Sequence, residues 1–365
     1  MNKHRMNKEL ASFASHLRES IHSGFQSESF DALALELFGL QFKHNSAYRK
    51  VCAARGLTPQ VIEHWTQIPA MPTATFKELE LTCLAPCDRA KIFHSSGTTK
   101  QKQSRHFHNA KSLAVYEASL LKWFRFYFGD ADELIFLTPN PNSAPCSSLV
   151  HMFETVRQKF GLPKSAFTGK LSDNDSWTVD FAATVKKLKA SCDTGKSLTL
   201  LGTAFSFVHL LDYLAENNLQ FQLPNGSCVM ETGGYKNLSR MLPKEELHAL
   251  ITERLGIAPG KIICEYGMSE LSSQAYDLRI RNPESGIQNR VFHFPPWARL
   301  QIISPETGRE VAAGEMGLLR IFDLANVFSV AAIQTEDLGI RCGDGFELIG
   351  RAQLAEPRGC SLMTA

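Results

Sequence analysis

The strongest constraint on the fold is an alternation between residues 134 and 266. Short apolar runs fall at Leu134-Ile135-Phe136-Leu137-Thr138, Leu198-Thr199-Leu200-Leu201-Gly202, Cys228-Val229-Met230 and Ile262-Ile263-Cys264-Glu265-Tyr266. Between them lie segments of helical character: His151 to Phe160, with Met152, Val156 and Phe160 on one face, then Phe181 to Leu188, Val208 to Leu214 and Glu245 to Leu255. Apolar runs of strand length separated by helices predict a mostly parallel sheet covered by helices. In such sheets ligands sit beyond the carboxyl ends of the strands. Two of the runs end there in Glu231-Thr232-Gly233-Gly234 and Tyr266-Gly267-Met268-Ser269-Glu270.

The flanks differ. Residues 1–90 read as a helical region: Leu10, Phe13, Leu17 and Ile21 recur at helical spacing, Phe30 to Phe38 form a second apolar segment, and Thr73 to Leu81 is expected as a short helix. The α/β core is expected over 91–285. A small β-rich subdomain is expected over 286–350, where Val291 to Phe294, Ala298 to Ile303, Gly317 to Phe322 and Phe346 to Ile349 are parted by Pro- or Gly-bearing turns. Residues 351–365 remain as a tail.

A chain of 365 residues can bury a large core, and a net charge of +2 gives no reason to expect a nucleic-acid partner. Nine scattered cysteines with no C-x-x-C pair argue against a zinc ribbon or disulfide scaffold and for a reducing, cytoplasmic compartment. The basic N-terminus lacks the apolar stretch of a signal peptide, and no run is long enough to span a membrane.

Just before the alternation stands Phe93-His94-Ser95-Ser96-Gly97-Thr98-Thr99-Lys100-Gln101-Lys102-Gln103-Ser104-Arg105. Hydroxyl side chains, backbone N–H groups at a glycine and three cations suit a loop that closes over phosphate, although an ordinary polar loop has the same composition. Nothing in it favours a buried strand, and the spacing is not that of a Walker A loop.

In this order, Ser95-Ser96-Gly97-Thr98-Thr99 resembles the phosphate-binding loop of the adenylate-forming enzymes, Glu231 to Gly234 their adenine-side segment, and Tyr266 to Glu270 their Tyr-Gly-x-Thr-Glu motif. Thr335-Glu336-Asp337-Leu338 resembles their ribose-binding strand and Gly350-Arg351 their hinge. The resemblance implies ATP and Mg²⁺ as cofactors and a carboxylic acid as substrate. It implies that Ser95, Ser96, Gly97, Thr98, Thr99 and Lys100 hold phosphates, that Gly233, Gly234, Tyr266 and Gly267 lie along the nucleotide, and that Asp337 and Arg351 reach the ribose. Glu270 would bind the metal and Ser269 the α-phosphate or the acid. Taken singly, Glu270 also reads as a helix-start carboxylate, Asp337 and the glycines as turn residues, and Arg351 as a surface ion pair.

The sequence departs from that pattern in carrying Lys100 where the superfamily often has Gly. It also ends fourteen residues after Arg351, with Gln353 near the usual charged hinge position. It therefore looks like the large domain without the usual C-terminal one. Arg358-Gly359-Cys360-Ser361-Leu362, Ser147 to Met152 and Glu231 to Lys236 resemble the short acyl-protein synthetases of bacterial bioluminescence, which end near an acyl-accepting cysteine. That implies a fatty acid, a thioester on Cys360, and hand-over to a partner such as an acyl reductase; Asp337-Leu338 is shared with phenylacetate-activating relatives, which leaves an aromatic acid as the alternative substrate. A thiol on a tail can visit a site as a nucleophile and swing away. Transfer of the acyl group to CoA or a carrier protein, and a non-catalytic nucleotide-binding subunit, stand as alternatives. Val229 to Tyr235 and Ser147 to Phe153 are expected pocket walls.

Overall fold

The computed structural model describes residues 3–95, 102–129, 132–160, 165–172, 176–233, 240–281 and 288–352. Helices α1 (Lys3–Ser23), α2 (Phe30–His44) and α3 (Ser46–Ala54) open the chain. Leu10, Phe13, Leu17 and Ile21 all turn inward along α1, as their spacing predicts. A two-residue strand β1 (Met71–Pro72) and one turn of helix, α4 (Thr75–Glu78), follow. The helix expected from Thr73 to Leu81 is thus limited to that turn. Leu79 is already extended, and this carries Leu81 and Leu84 into the core.

Strands β2 (Lys91–His94) and β3 (Arg105–His108) form an antiparallel hairpin, with Phe93 opposite His106 and His94 opposite Arg105. The polar stretch expected to be free of strand therefore begins and ends in one. Phe93 is fully buried and gives its strand an apolar anchor. Helix α5 (Ala110–Phe128) follows, capped by Asn109 Oδ1, which accepts from the amides of Lys111 and Ser112. It has no counterpart among the sequence expectations, although Tyr116, Leu120 and Phe124 recur every four residues and are buried.

The core alternates as expected. In order come β4 (Glu133–Phe136), α6 (Ser148–Phe160), the short strands β5 (Ala166–Phe167), β6 (Gly169–Leu171) and β7 (Trp177–Val179), then α7 (Phe181–Thr194), β8 (Leu198–Thr203), α8 (Ala204–Glu216), β9 (Cys228–Thr232), α9 (Lys244–Leu255) and β10 (Ile262–Tyr266). Every residue of β8, β9 and β10 is buried, because helices cover both faces of the parallel sheet. Strands β11 (Ala275–Arg281), β12 (Gln288–His293), β13 (Ala298–Ile303), β14 (Met316–Asp323), β15 (Ala332–Cys342) and β16 (Gly345–Arg351) complete the chain.

The main sheet runs β13-β14-β15-β16-β12-β11-β10-β9-β8-β4-β5, with β1 beside β15. Pairing is parallel from β5 through β4, β8 and β9 to β10, and antiparallel from β10 to β13. Strand β10 is the seam between the two halves. Its face toward α5 and α6 belongs to a cluster with Phe93, Tyr116, Phe136, Leu201 and Met230. On the other face Val229 and Ile262 pack with α8 and α9. Among the described residues no helix is long and apolar enough to cross a membrane, and the cysteines are unpaired.

Candidate active site

The sequence candidates that lie within the described residues converge on the end of β10. Glu265 and Tyr266 are its last residues, and Met268 to Gln274 pass beneath the hairpin. There Ser269 Oγ donates to Glu270 Oε2 at 2.9 Å and lies 3.3 Å from Ser104 Oγ. The Ser104 amide donates to Ser95 Oγ at 3.0 Å. His106 Nδ1 donates to the Ser269 carbonyl at 2.8 Å. The two ends of the 95–104 loop are thus tied to each other, and through Ser104 to Ser269.

Asn326 holds the same turn from below. Its Nδ2 donates to the Glu270 carbonyl at 2.9 Å, and its Oδ1 accepts from Ser272 Oγ at 2.6 Å. Asp323 Oδ2 accepts from the amides of Ser272 at 2.9 Å and Ser273 at 2.8 Å. Neither residue carries a motif signature. Two buried polar residues at the end of an apolar strand were their only signal. Ser104 stood in the quoted loop without a role of its own, and His106 lay just beyond it; the period-2 pattern His106/His108 against Phe107 was the clue.

Tyr266 faces the opposite way and donates to Asp337 Oδ2 at 2.8 Å. Burial raises the Asp337 carboxyl above its ordinary range, opposed by the Tyr266 bond and the Arg351 charge. Arg351 stands opposite Asp337 in the β15–β16 ladder, largely exposed, its Nε 3.8 Å from Asp337 Oδ1 and an Nη 3.5 Å from Glu336. Gly233 follows β9 at φ +71°, a conformation that favours glycine, and a Cβ there would meet nothing within 4 Å. At Gly267 a Cβ would collide with Glu265 Oε1.

Part of the positive charge read in the loop is already matched. Lys102 pairs with Glu78 at 2.7 Å and Arg105 with Glu80 at 3.4 Å. Ser96, Gly97, Thr98, Thr99, Lys100, Gly234, Gln353 and Cys360 lie outside the described residues. Of the expected pocket walls, Met230, Met152 and Phe153 join the cluster facing α5 and α6, whereas Val229 points to the other face.

Behind the site Glu231, His248 and Cys264 place their ligand-type atoms within 4.8 Å of one another. Arg290 lies 2.8 Å from His248 Nδ1, and guanidinium has only donors, so Nδ1 accepts and the ring proton sits on Nε2. That proton points at Glu231 Oε1, 3.3 Å away, and Cys264 Sγ donates to the same oxygen at 2.9 Å. Lys244 Nζ is 3.2 Å from it. Burial opposes ionisation of Glu231, but Lys244, His248 and Cys264 outweigh it and hold the carboxyl at about 2. Protons and cations occupy every position a metal would need. The cluster is a charge-balanced brace under β9 and β10.

ATP fits the described groups. A carboxylate and a tyrosine hydroxyl meet at one side of the strand ends, an open glycine lies beside them, and hydroxyls converge on the other side. Mg²⁺ prefers oxygen ligands shared with phosphates, and Glu270 is a carboxylate at the base of the loop that would carry them.

Residues 19–365 match the family model described as acyl-protein synthetase, LuxE. The long-chain-fatty-acid–luciferin-component ligase of Aliivibrio fischeri is 28% identical over 361 residues, 93% of this chain and 89% of that one. The protein of the same name from Vibrio harveyi is 24% identical over 332 residues, 88% and 83% of the two chains. Among solved structures, 2-hydroxyisobutyryl-CoA ligase with 2-HIB-AMP and CoA, in the thioesterification state, is similar at a TM-score of 0.65 and 14% identity, over 90% of this chain and 69% of that one. Its open conformation gives 0.63 and 13%, over 86% and 74%. The fold is that of the adenylate-forming enzymes, and the chain belongs to the acyl-protein synthetase family.

Proposed function

We propose that this protein activates a carboxylic acid of the fatty class with ATP, then carries the acyl group on Cys360 as a thioester for hand-over to a partner such as an acyl reductase. An oxygen of the acid attacks the α-phosphorus, the bond to the bridging oxygen breaks, and pyrophosphate leaves. The Cys360 thiolate then attacks the acyl carbon, and AMP leaves. Both steps depend on positioning and charge stabilisation.

The observation that carries the reading is the joining of Ser95, Ser104, Ser269 and Glu270 at one side of β10, with Tyr266 and Asp337 bonded at the other. In this reading the loop Ser95, Ser96, Gly97, Thr98, Thr99 and Lys100 takes the β- and γ-phosphates. Ser269 orients the acid or α-phosphate, Gly233, Gly234 and Gly267 flank the nucleotide, and Asp337 with Arg351 accepts the ribose. Glu270 would hold Mg²⁺, which when bound would neutralise phosphate charge. The names of the two bacterial relatives support the fatty class.

Exchange of labelled pyrophosphate into ATP, dependent on an added acid, tests the first step. Its absence with every acid returns the chain to a nucleotide-binding role. Intact mass after ATP, Mg²⁺ and the acid tests the second. A hydroxylamine-labile acyl adduct, lost in Cys360→Ser while exchange persists, is expected. No adduct, with AMP released only on adding CoA or a carrier protein, overturns the self-acylation step.

A further inference from the structure

The face of the sheet toward α5 and α6 is apolar in its middle, with Phe136, Leu201, Met230 and Ile263 in one cluster, and carries the bonded pair Thr199 and Cys228 at its amino end. At the carboxyl end of the parallel strands that changes. Thr232 on β9 is paired with Glu265 on β10, and Glu265 with Tyr276 on β11. Directly paired residues project from the same face. A transverse polar row of Thr232, Glu265 and Tyr276 therefore crosses the apolar layer beside Gly233 and Gly267. Glu265 at its middle acts electrostatically on Tyr116 of α5, whose ring is 5.8 Å from Phe93 of the hairpin that leads into the candidate phosphate loop, and the Tyr276 ring packs on Phe124, Tyr127 and Phe128 further along α5.

The row is buried but incompletely bonded. Thr232 Oγ1 donates to Glu265 Oε2. Among the described residues the Tyr276 hydroxyl has no partner, and the residue is 0% exposed. On the hairpin side, Nε2 of His108 is likewise buried without a partner among the described residues, its ring 4.8 Å from Phe93 and 6.1 Å from Tyr116. Burial pushes the Glu265 carboxyl up to about 7, the Thr232 bond opposing and the Glu231 charge adding to it. A buried hydroxyl without a partner is costly, so a wall built only for a hydrocarbon chain would carry none.

Tyr266 and Asp337 occupy the nucleotide side of β10. The acid must then run along the side where Glu265 projects. We propose that Thr232, Glu265 and Tyr276 form a specificity subsite for a hydroxyl group on the acid, so that the preferred substrate is a hydroxy acid rather than a plain saturated one. The inference rests on the acid-activating reading above. A hydroxyl both donates and accepts, which suits a carboxyl oxygen and a phenol side by side. A site built to bond a hydroxyl discriminates strongly against the analogue lacking it, because its own polar groups are then left unpaired.

The test is acid-dependent pyrophosphate exchange with acids of one chain length: the saturated acid, its 2-, 3- and terminal hydroxy forms, and a terminal amino form. The readout is the ratio of kcat/KM for each substituted acid to the saturated one, which does not depend on the folded fraction of a preparation. At least one hydroxy acid is expected to exceed the saturated acid tenfold or more. Glu265→Leu and Tyr276→Phe are each expected to lower that ratio severalfold, with Glu265→Gln between them and wild type. No preference for any hydroxy acid, a preference for the amino acid instead, or a ratio that both variants leave untouched overturns the subsite. Failure of exchange with every acid would instead overturn the acid-activating reading.

Discussion

The Tyr266 hydroxyl donates a 2.8 Å hydrogen bond to Asp337, 71 residues further along the chain. It closes the gap between the last residue of the parallel half of the sheet and the middle of β15, and it orients a half-buried carboxylate. Asp337→Ala is expected to raise the KM for ATP in pyrophosphate exchange by tenfold or more, about 1.4 kcal/mol of lost binding. Tyr266→Phe should give a smaller rise in the same direction. An unchanged KM in Asp337→Ala would remove this residue from the nucleotide site.

His106 clamps the other side through its bond to the Ser269 carbonyl. Burial holds its imidazole down at about 4, with the Ser269 bond opposing, so it is neutral at pH 7. His106→Leu is expected to lower kcat for exchange by about tenfold or more, since positioning carries much of such catalysis. The fall should exceed any change in KM. Equal kcat in variant and wild type would mean that the clamp is structural alone.

Lys244 is the charge that lets Glu231 stay ionised under β9. Lys244→Met is expected to destabilise the protein by about 1.5–3 kcal/mol at pH 7, the range for hydrogen bonds to charged groups. The folded carboxyl sits near 2, below its unfolded value, so the stability it lends is present above the unfolded pKa and is lost as pH falls through the folded one. Urea unfolding at pH 7 and pH 3 should show that loss in wild type and a reduced loss in Lys244→Met.

Glu265 has the opposite sign. Its folded carboxyl sits near 7, above the ordinary range, so between the two values the folded chain binds more protons than the unfolded one. Stability from this group therefore falls as pH rises from about 4.5 to about 7 and is level above that. Glu265→Gln, which keeps the shape and cannot ionise, is expected to flatten that part of the profile by an amount on the order of a few kcal/mol. A wild-type and variant Tm difference that is constant from pH 5 to pH 8 would contradict the shift.

The sequence by itself determined the alternation of β4, β8, β9 and β10 with their helices, because an apolar run buried on both faces must come from a covered strand. It also placed the candidate residues Gly233 and Ser269-Glu270 directly after two of those strands. Short motifs survive as local patterns of glycine, hydroxyl and carboxylate. Helix α5 carried a readable helical period, whereas the pairing of β2 with β3 and the support of Glu270 by Asn326 were decided only in three dimensions. Their partners are distant in sequence: Asn326 reaches Glu270 across 56 residues and His106 reaches Ser269 across 163. The polar row of Thr232, Glu265 and Tyr276 was hidden for the same reason. Each residue is unremarkable in its own strand, and only pairing register puts the three on one face.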